Sequence, residues 1–278
     1  MMTRLPPLDA VVACASNNAT ILDANLRKSP AVASGRLPLH VERDAPSAAI
    51  AYNRALDATR AGIVILAHHD VFLPDGWDRL LALRIAEVER IDPDWGVIGP
   101  FGVGRENRMN YGPVWSSSIG MIAGLVPETP VPVQSFDELL LVLRRSSGLR
   151  FDETLPNFHL YGLDIAQTAW AAGKGAWTVP LPLVHNDRFH EALGEDFGQA
   201  YDHVRRKWRA HLPLNAPVVA VDRWGLALRK VRRDSRRSTA YRAALSVSPE
   251  VDPRVYAARC GWSDLNPSVD ALAAGPGA

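Results

Sequence analysis

The run Ile63-Val64-Ile65-Leu66 is short, apolar and mostly β-branched, and it stops at Ala67-His68-His69-Asp70. A run of that length and composition reads as a buried strand. Pro74-Asp75 follows, and Trp77, Leu81, Ile85 and Val88 then recur at the spacing of an amphipathic helix entered through a proline. A strand that leads through His68, His69 and Asp70 into a helix sets those side chains just past its carboxyl end. Open α/β sheets hold their ligands there.

The same alternation precedes this segment. Leu8 to Ala15 reads as a first strand, and the polar Ser16-Asn17-Asn18 leads into a helix over Ala19 to Arg27. Leu39 to Glu42 is a second strand and Pro46 to Ala58 a second helix. Strand and helix in turn imply a doubly wound, largely parallel sheet. After Trp95 the pattern changes to Gly- and Pro-rich sequence with short apolar pieces, predicting short strands and ordered loops to residue 135. Leu139 to Leu143 is a further apolar run behind Asp137-Glu138. Ile165, Ala169 and Ala172 mark a helix with Gly173 as its C′ residue, followed by a strand at Ala176 to Val179 and an apolar piece ending at His185.

At 278 residues, 47% of them hydrophobic, the chain suffices for one large domain, or for one domain with an appendage. The charge is balanced, 31 basic against 30 acidic residues, which argues against a dedicated nucleic-acid binder. Two cysteines, Cys14 and Cys260, cannot build a disulfide framework, so a reducing compartment is expected. The start MMTRLPPLDA lacks the apolar stretch of a signal peptide, and no 18-residue apolar run occurs, so a soluble, cytoplasmic protein is expected. From about Glu191 the chain turns basic and helical; residues 229–237 carry six basic side chains against one acid. Trp208 and Trp224 imply that part of this segment folds back onto the core, and ALAAGPGA reads as a disordered tail.

Each cluster that carries chemistry has two readings. His68 and Asp70, two apart on an extended segment, can face the same way and bind a divalent metal, or the histidines can bond loop backbone at a strand end. Ser16, Asn17 and Asn18 suit a nucleotide contact or a plain helix cap. Asp164, in the first turn of its helix, is a capping charge or a general base. His185 can join Asp70 in a metal shell or be structural. The basic run is a solvated helix face, or a surface attracted to phosphates or an anionic membrane.

Taken in order, CASNN, SAAIAYNRALDATRAGIVILAHHDVFLPDGW and FHLYGLDIAQTAWAAGKGAWTVPLPLVHN resemble family 2-type glycosyltransferases of the GT-A fold, over roughly residues 9–190. The nearest resemblance is to the bacterial branch of StrF-like proteins of streptomycin biosynthesis. It implies a Rossmann-like α/β domain at 1–190, its mostly parallel central sheet flanked by helices, with a basic, largely helical C-terminal extension at 191–278. It also implies a nucleotide-diphosphate sugar donor, a hydroxyl acceptor, and Mn²⁺ or Mg²⁺. Ser16 to Asn18 would touch the nucleotide, and Asn53 would lie near the base or diphosphate. His68-His69-Asp70 stands where the family has Asp-x-Asp, so Asp70 would hold the metal and His185 would complete its shell. The family's Glu-Asp before the helix is absent, because Gly162 occupies that place. Asp164 then becomes the expected base, with Asp137 and Glu138 as rivals.

Three other readings remain. A nucleotidyltransferase would want a Gly-rich basic first loop, which Ser16-Asn17-Asn18 does not supply. A non-catalytic nucleotide- or sugar-binding protein on the same fold is compatible with Gly162. A metal hydrolase would want more histidines near His68-His69-Asp70, and His159 is far along the chain.

Overall fold

The structure is a computed structural model and describes residues 8–267; the tail expected at the extreme C-terminus lies outside them. In chain order the first elements are β1 (Ala10–Ala15), α1 (Ala19–Ala24), α2 (Pro30–Ala33), β2 (Leu39–Glu42), α3 (Ala48–Ala58) and β3 (Ile63–Ala67). Next come β4 (Val71–Phe72), α4 (Trp77–Ile91), β5 (Val97–Gly99), β6 (Gly102–Gly104), β7 (Asn110–Tyr111), β8 (Val114–Ser116) and β9 (Met121–Ala123). They are followed by β10 (Val131–Phe136), β11 (Leu140–Arg144), α5 (Tyr161–Ala171), β12 (Ala176–Thr178) and β13 (Leu183–His185). The remainder is α6 (Glu195–Lys207), β14 (Leu214–Asn215), β15 (Ala220–Val221), α7 (Leu226–Arg237), α8 (Thr239–Leu245) and α9 (Pro253–Arg259).

The expected α/β class is the one observed. Nine strands form the main sheet in the order β2-β1-β3-β11-β5-β12-β10-β6-β7. β2, β1, β3, β5, β12 and β6 share one direction, and β11, β10 and β7 run against it. The central strands are apolar at successive positions because both faces are covered. Val11, Ala13, Val64, Leu66, Leu141 and Leu143 pack toward α3, α5 and α6. Ala10, Val12, Cys14, Ile65, Ala67, Leu140 and Val142 pack on the other side, with Leu81, Ile85 and Val88 of α4. Alternate side chains of one strand thus feed two cores.

Some elements differ from expectation for local reasons. The first helix stops at Ala24, where the Asn25 amide turns back to bond the Ile21 carbonyl at 3.0 Å. α3 begins at Ala48, capped by the Ser47 hydroxyl, which accepts from the Ile50 N–H. α4 begins at Trp77, because Gly76 takes a left-handed φ of 76° and Pro74-Asp75 lie in the turn before it.

The segment expected as an extension from 191 shares the main core. Phe197, Ala200, Tyr201, Val204 and Trp208 join the cluster that holds Leu163 and Ile165. The β14–β15 ribbon is bonded to β10 through Ser135 and Gln134, both of which reach Asn215. Farther on, Tyr256 of α9 stacks on Trp115 of β8 and packs with Phe72 and Val184. Trp224 does not take part; it is 73% exposed.

Asp164 ties this segment down. It is 1% exposed; its Oδ1 accepts from the indole of Trp208 at 2.8 Å, and Lys207 lies 2.8 Å from Oδ1 and 2.9 Å from Oδ2. Both oxygens are therefore held by α6 and its end, which places the carboxylate expected as a base in a structural role. Lys207 is partly exposed and keeps Asp152 at 2.8 Å, so the loss of Asp164 falls mainly on the buried indole N–H left without its acceptor, about 1–3 kcal/mol. Asp164→Ala should accordingly lower the thermal midpoint by roughly 3–9 °C, measured by calorimetry. An unchanged midpoint would show that this anchor carries little of the stability.

Candidate metal centre

His68, His69 and Asp70 follow β3 directly and stand at the carboxyl edge shared by β1 and β3. β11 enters the sheet antiparallel to β3, with Leu140 opposite Ala67, so the turn before it lies at the same edge. The His68 N–H bonds the Leu139 carbonyl at 2.9 Å, and Asp137 and Glu138 are thereby brought beside the histidines. A second sheet supplies His185. β4 pairs antiparallel with β13, with Val71 opposite His185, and the Asn186 N–H bonds the Asp70 carbonyl at 2.8 Å.

His68, Asp70 and His185 each offer one ligand atom, and the three atoms lie within 4.8 Å of one another. Nε2 of His185 is 3.3 Å from Oδ1 of Asp70, and Nδ1 of His68 is 4.0 Å from the same oxygen. That oxygen is buried and receives no hydrogen bond. A buried carboxylate oxygen without a donor is costly, and a cation among the three atoms would relieve it.

Hydrogen bonds around the triad fix which nitrogens are free. The Tyr161 hydroxyl gives its one hydrogen to the Glu138 carbonyl at 2.8 Å, so it accepts from Nε2 of His68 at 2.9 Å. The lone pair of His68 is then on Nδ1, the nitrogen facing Asp70. Burial holds His68 down to about 4, which keeps the ring neutral as a ligand must be. On the far side of His185, Nδ1 is 3.9 Å from Asp187, whose carboxylate accepts from the Ser116 hydroxyl at 2.8 Å and the Ser118 N–H at 3.1 Å. At 3.9 Å this carboxylate does not hydrogen-bond the ring but lies on its outer side, where outer carboxylates act on metal-binding imidazoles. Burial opposes charge on His185, but Asp70 and Asp187 outweigh it and lift the ring to about 10. Burial would likewise raise Asp70, yet His185 and His68 hold it well below the usual carboxylate range.

The other expected residues fall into two groups. Ser16 belongs to the edge, its hydroxyl 2.7 Å from Nδ1 of His69, so the first loop and the His-His-Asp turn are directly joined. Ser16 and Asn17 also line a cleft of about 60 Å³ with Ala15, Glu42, Ala45 and the half-exposed ring of Phe158. Asn18 is the cap of α1, accepting from the Ile21 N–H at 3.0 Å, and the Asn17 amide oxygen is taken by the Asp44 N–H at 2.8 Å. Asn53 does not face the edge. Its amide is fully engaged with both backbone groups of Phe151 and with Glu153, pinning the 151–153 segment to α3.

Glu138 occupies the place of interest near α5. Its Oε1 accepts from the Gly162 N–H at 3.2 Å. A Cβ on residue 162 would stand 2.6 Å from the Phe136 carbonyl oxygen and 3.2 Å from that same Oε1. Glycine is required there because the turn after β10 presses on the start of the helix. Burial, and then the neighbouring Asp137, push the Glu138 carboxyl upward. Tyr161, Ser116, Ser118 and Asp187 were not expected from sequence; only the spacing His185-x-Asp187, which sets two side chains on one side of an extended segment, hinted at the last.

No protein-family model matches the chain. A protein of Fuscovulum blasticum described as ATP synthase subunits region ORF 6 is 28% identical over 166 residues, covering 58% of this chain and 66% of its own length. Among solved structures, GalNAc-T7 with UDP, GalNAc and Mn²⁺ is similar at a TM-score of 0.47 and 12% identity, over 85% of this chain and 56% of that one. The mannosyltransferase PcManGT from Pyrobaculum calidifontis, in complex with GDP-Man and Mn²⁺, is similar at 0.44 and 16%, over 97% and 88%. S. aureus TarS in complex with UDP-GlcNAc is similar at 0.45 and 12%, over 71% and 64%. Likenesses of this size do not carry a functional argument, which rests instead on the side chains of the edge.

The triad should bind a divalent cation such as Mn²⁺. At a free concentration one hundred times Kd, binding stabilises the fold by about 2.7 kcal/mol, visible as a raised thermal midpoint. Asp70→Ala should abolish that shift. Tyr161→Phe, which takes away the acceptor of the His68 N–H, should weaken Mn²⁺ by about 10–100-fold in a calorimetric titration. An equal Mn²⁺ shift in wild type and Asp70→Ala would show that the triad is not the site.

Proposed function

We propose that the protein is a metal-dependent glycosyltransferase of the GT-A kind, moving a sugar from a nucleoside-diphosphate donor to a hydroxyl acceptor. The observation that carries this reading is the donor-less Oδ1 of Asp70, held between His68 and His185 at the carboxyl edge of the sheet. It stands where the resemblance puts the metal-holding aspartate and the late histidine of family 2-type enzymes. A transferase of this kind needs a cation for the diphosphate, a carboxylate for the acceptor and a seat for the nucleotide. Candidates for all three lie at that one edge.

Asp70, His68 and His185 would hold the cation. With two imidazole nitrogens among three donors, the set suits Mn²⁺ better than Mg²⁺, which prefers oxygen. When bound, the cation would act as a Lewis acid that stabilises the charge of the departing diphosphate. The cleft of Ser16, Asn17 and Phe158 is the seat we assign to the nucleotide, with the phenyl ring available to stack on a base.

We assign the general base to Glu138. Asp164 is held by Lys207 and Trp208, whereas Glu138 reaches the first turn of α5 at Gly162, the place of the acid this chain lacks. A carboxylate raised by burial lies nearer the working pH, which favours proton transfer from an acceptor hydroxyl. One base and one displacement would invert the anomeric carbon.

The test is turnover of a panel of UDP- and GDP-sugars with Mn²⁺, scored by release of the nucleoside diphosphate. Glu138→Gln should lower kcat by about 10²–10⁴-fold while leaving the Mn²⁺ midpoint shift in place. Nucleotide-sugar binding without turnover, for wild type as for the variant, would make the protein a binding module on this fold instead.

A further inference from the structure

The basic run of residues 229–237 is the outer face of α7. Arg229, Lys230, Arg233, Arg236 and Arg237 are exposed, while Leu228 is buried against α6 and the β15 end. Lys230 and Arg233 share the single acid of the helix, Asp234. Arg229, Arg236 and Arg237 have no acidic partner among the described residues. Two other arginines of this region serve the fold. Arg232 bonds the carbonyls of Leu193 and Gly194, and Arg242 those of His190 and Glu191.

Large apolar side chains lie exposed at both ends of this charged face. Trp224 lies just before α7 and Leu226 opens it, 73% and 58% exposed, and Tyr241 and Leu245 stand on α8, Tyr241 at 69%. Next to Leu245 comes the β8–β9 turn, where the Leu245 carbonyl sits against Gly120, and beyond it Met121 and Ile122 are exposed as well. A soluble protein gains nothing by presenting indole, phenol and aliphatic groups to water around a cluster of guanidinium groups. A bilayer surface takes both kinds, the rings and alkyl groups at the level of the headgroups and the guanidinium groups against their phosphates. Among the described residues, no helix is long and apolar enough to cross a membrane.

We infer that the α7–α8 face docks the protein peripherally on an anionic lipid surface. Positive charge on the face and negative charge on the lipid select the partner, and the flanking Trp224, Leu226, Tyr241 and Leu245 select a bilayer over a purely polar polyanion. The surface is joined to the metal triad through the chain. Arg232 and Arg242 grip the loop that leads away from His185, and the Val247 N–H bonds the Ser117 carbonyl at 2.9 Å, whose own N–H bonds His185. Docking does not depend on the catalytic reading.

Sedimentation of the full chain with vesicles tests it, using phosphatidylcholine alone and phosphatidylcholine with phosphatidylglycerol. The protein should pellet with the mixed vesicles at low salt and be released near 1 M salt, where screening acts within about 3 Å. Joint Arg229→Gln, Arg236→Gln and Arg237→Gln should weaken binding about 100-fold, from about 1 kcal/mol per basic residue at an anionic surface. Trp224→Ser with Leu226→Ser, both on exposed positions, should weaken it at least about tenfold with the thermal midpoint unchanged. No pelleting of wild type with the mixed vesicles would overturn the inference, as would binding indifferent to the three arginines. So would displacement by a single-stranded oligonucleotide whose own affinity survives Trp224→Ser and Leu226→Ser, which would make the face a nucleic-acid site.

Discussion

A carboxylate oxygen buried without a hydrogen-bond donor is the constraint around which this molecule is arranged. Oδ1 of Asp70 is buried without a donor, with His185 at 3.3 Å and His68 at 4.0 Å. Its neighbours are in turn fixed by groups behind them: Tyr161 determines the tautomer of His68, and Asp187, held by Ser116 and Ser118, stands behind His185. In a low-dielectric setting such an oxygen is expensive unless a cation or a proton answers it. On the proton's side, Asp70 and Asp187 raise the proton affinity of His185 against the effect of its burial.

Two pieces of topology create the cluster. β11 is inserted antiparallel between β3 and β5, so the turn carrying Asp137 and Glu138 meets the end of β3. The short β4 leaves the histidine turn and pairs with β13, which delivers His185 to Asp70. The C-terminal segment then closes round both, through Asp164 with Lys207 and Trp208 on one side and through Tyr256, packed on Trp115, Phe72 and Val184, on the other. Residues after 190 are therefore part of what holds the edge together, and they carry the basic face as well.

At Gly162, where the resemblance led to the expectation of an acid, the nearby carboxylate belongs to another part of the chain. The start of α5 is so close to the turn after β10 that no side chain fits at 162, and the carboxylate at that helix start comes from Glu138. The acid expected in its stead, Asp164, lies two residues on, which turns it about 200° round the helix and into the core beside Trp208.

Local pattern was enough for much of this. Leu39 to Glu42, the strand from Ile63, α5 with its C′ Gly173, and the position of His68, His69 and Asp70 past a strand end follow from short apolar runs, helical spacing and turn residues, all of which act within about fifteen residues. The pairing of Asp70 with His185 was one of two readings open in the residues, and the resemblance favoured it; the bonds that Asn53 and Asp164 make inside the fold were not legible. A side-chain amide that bonds Phe151 and Glu153, about a hundred residues away, has no local signature. Neither has a carboxylate that meets a lysine and an indole three elements later. By itself, then, the sequence determined the elements, the α/β class and the chemical types gathered near the strand end. Only the tertiary structure decided which carboxylate faces the histidines, which one anchors a helix and which one meets the start of α5, because strand order and helix packing choose partners across long stretches of chain, and burial then fixes the cost of every polar group left without one.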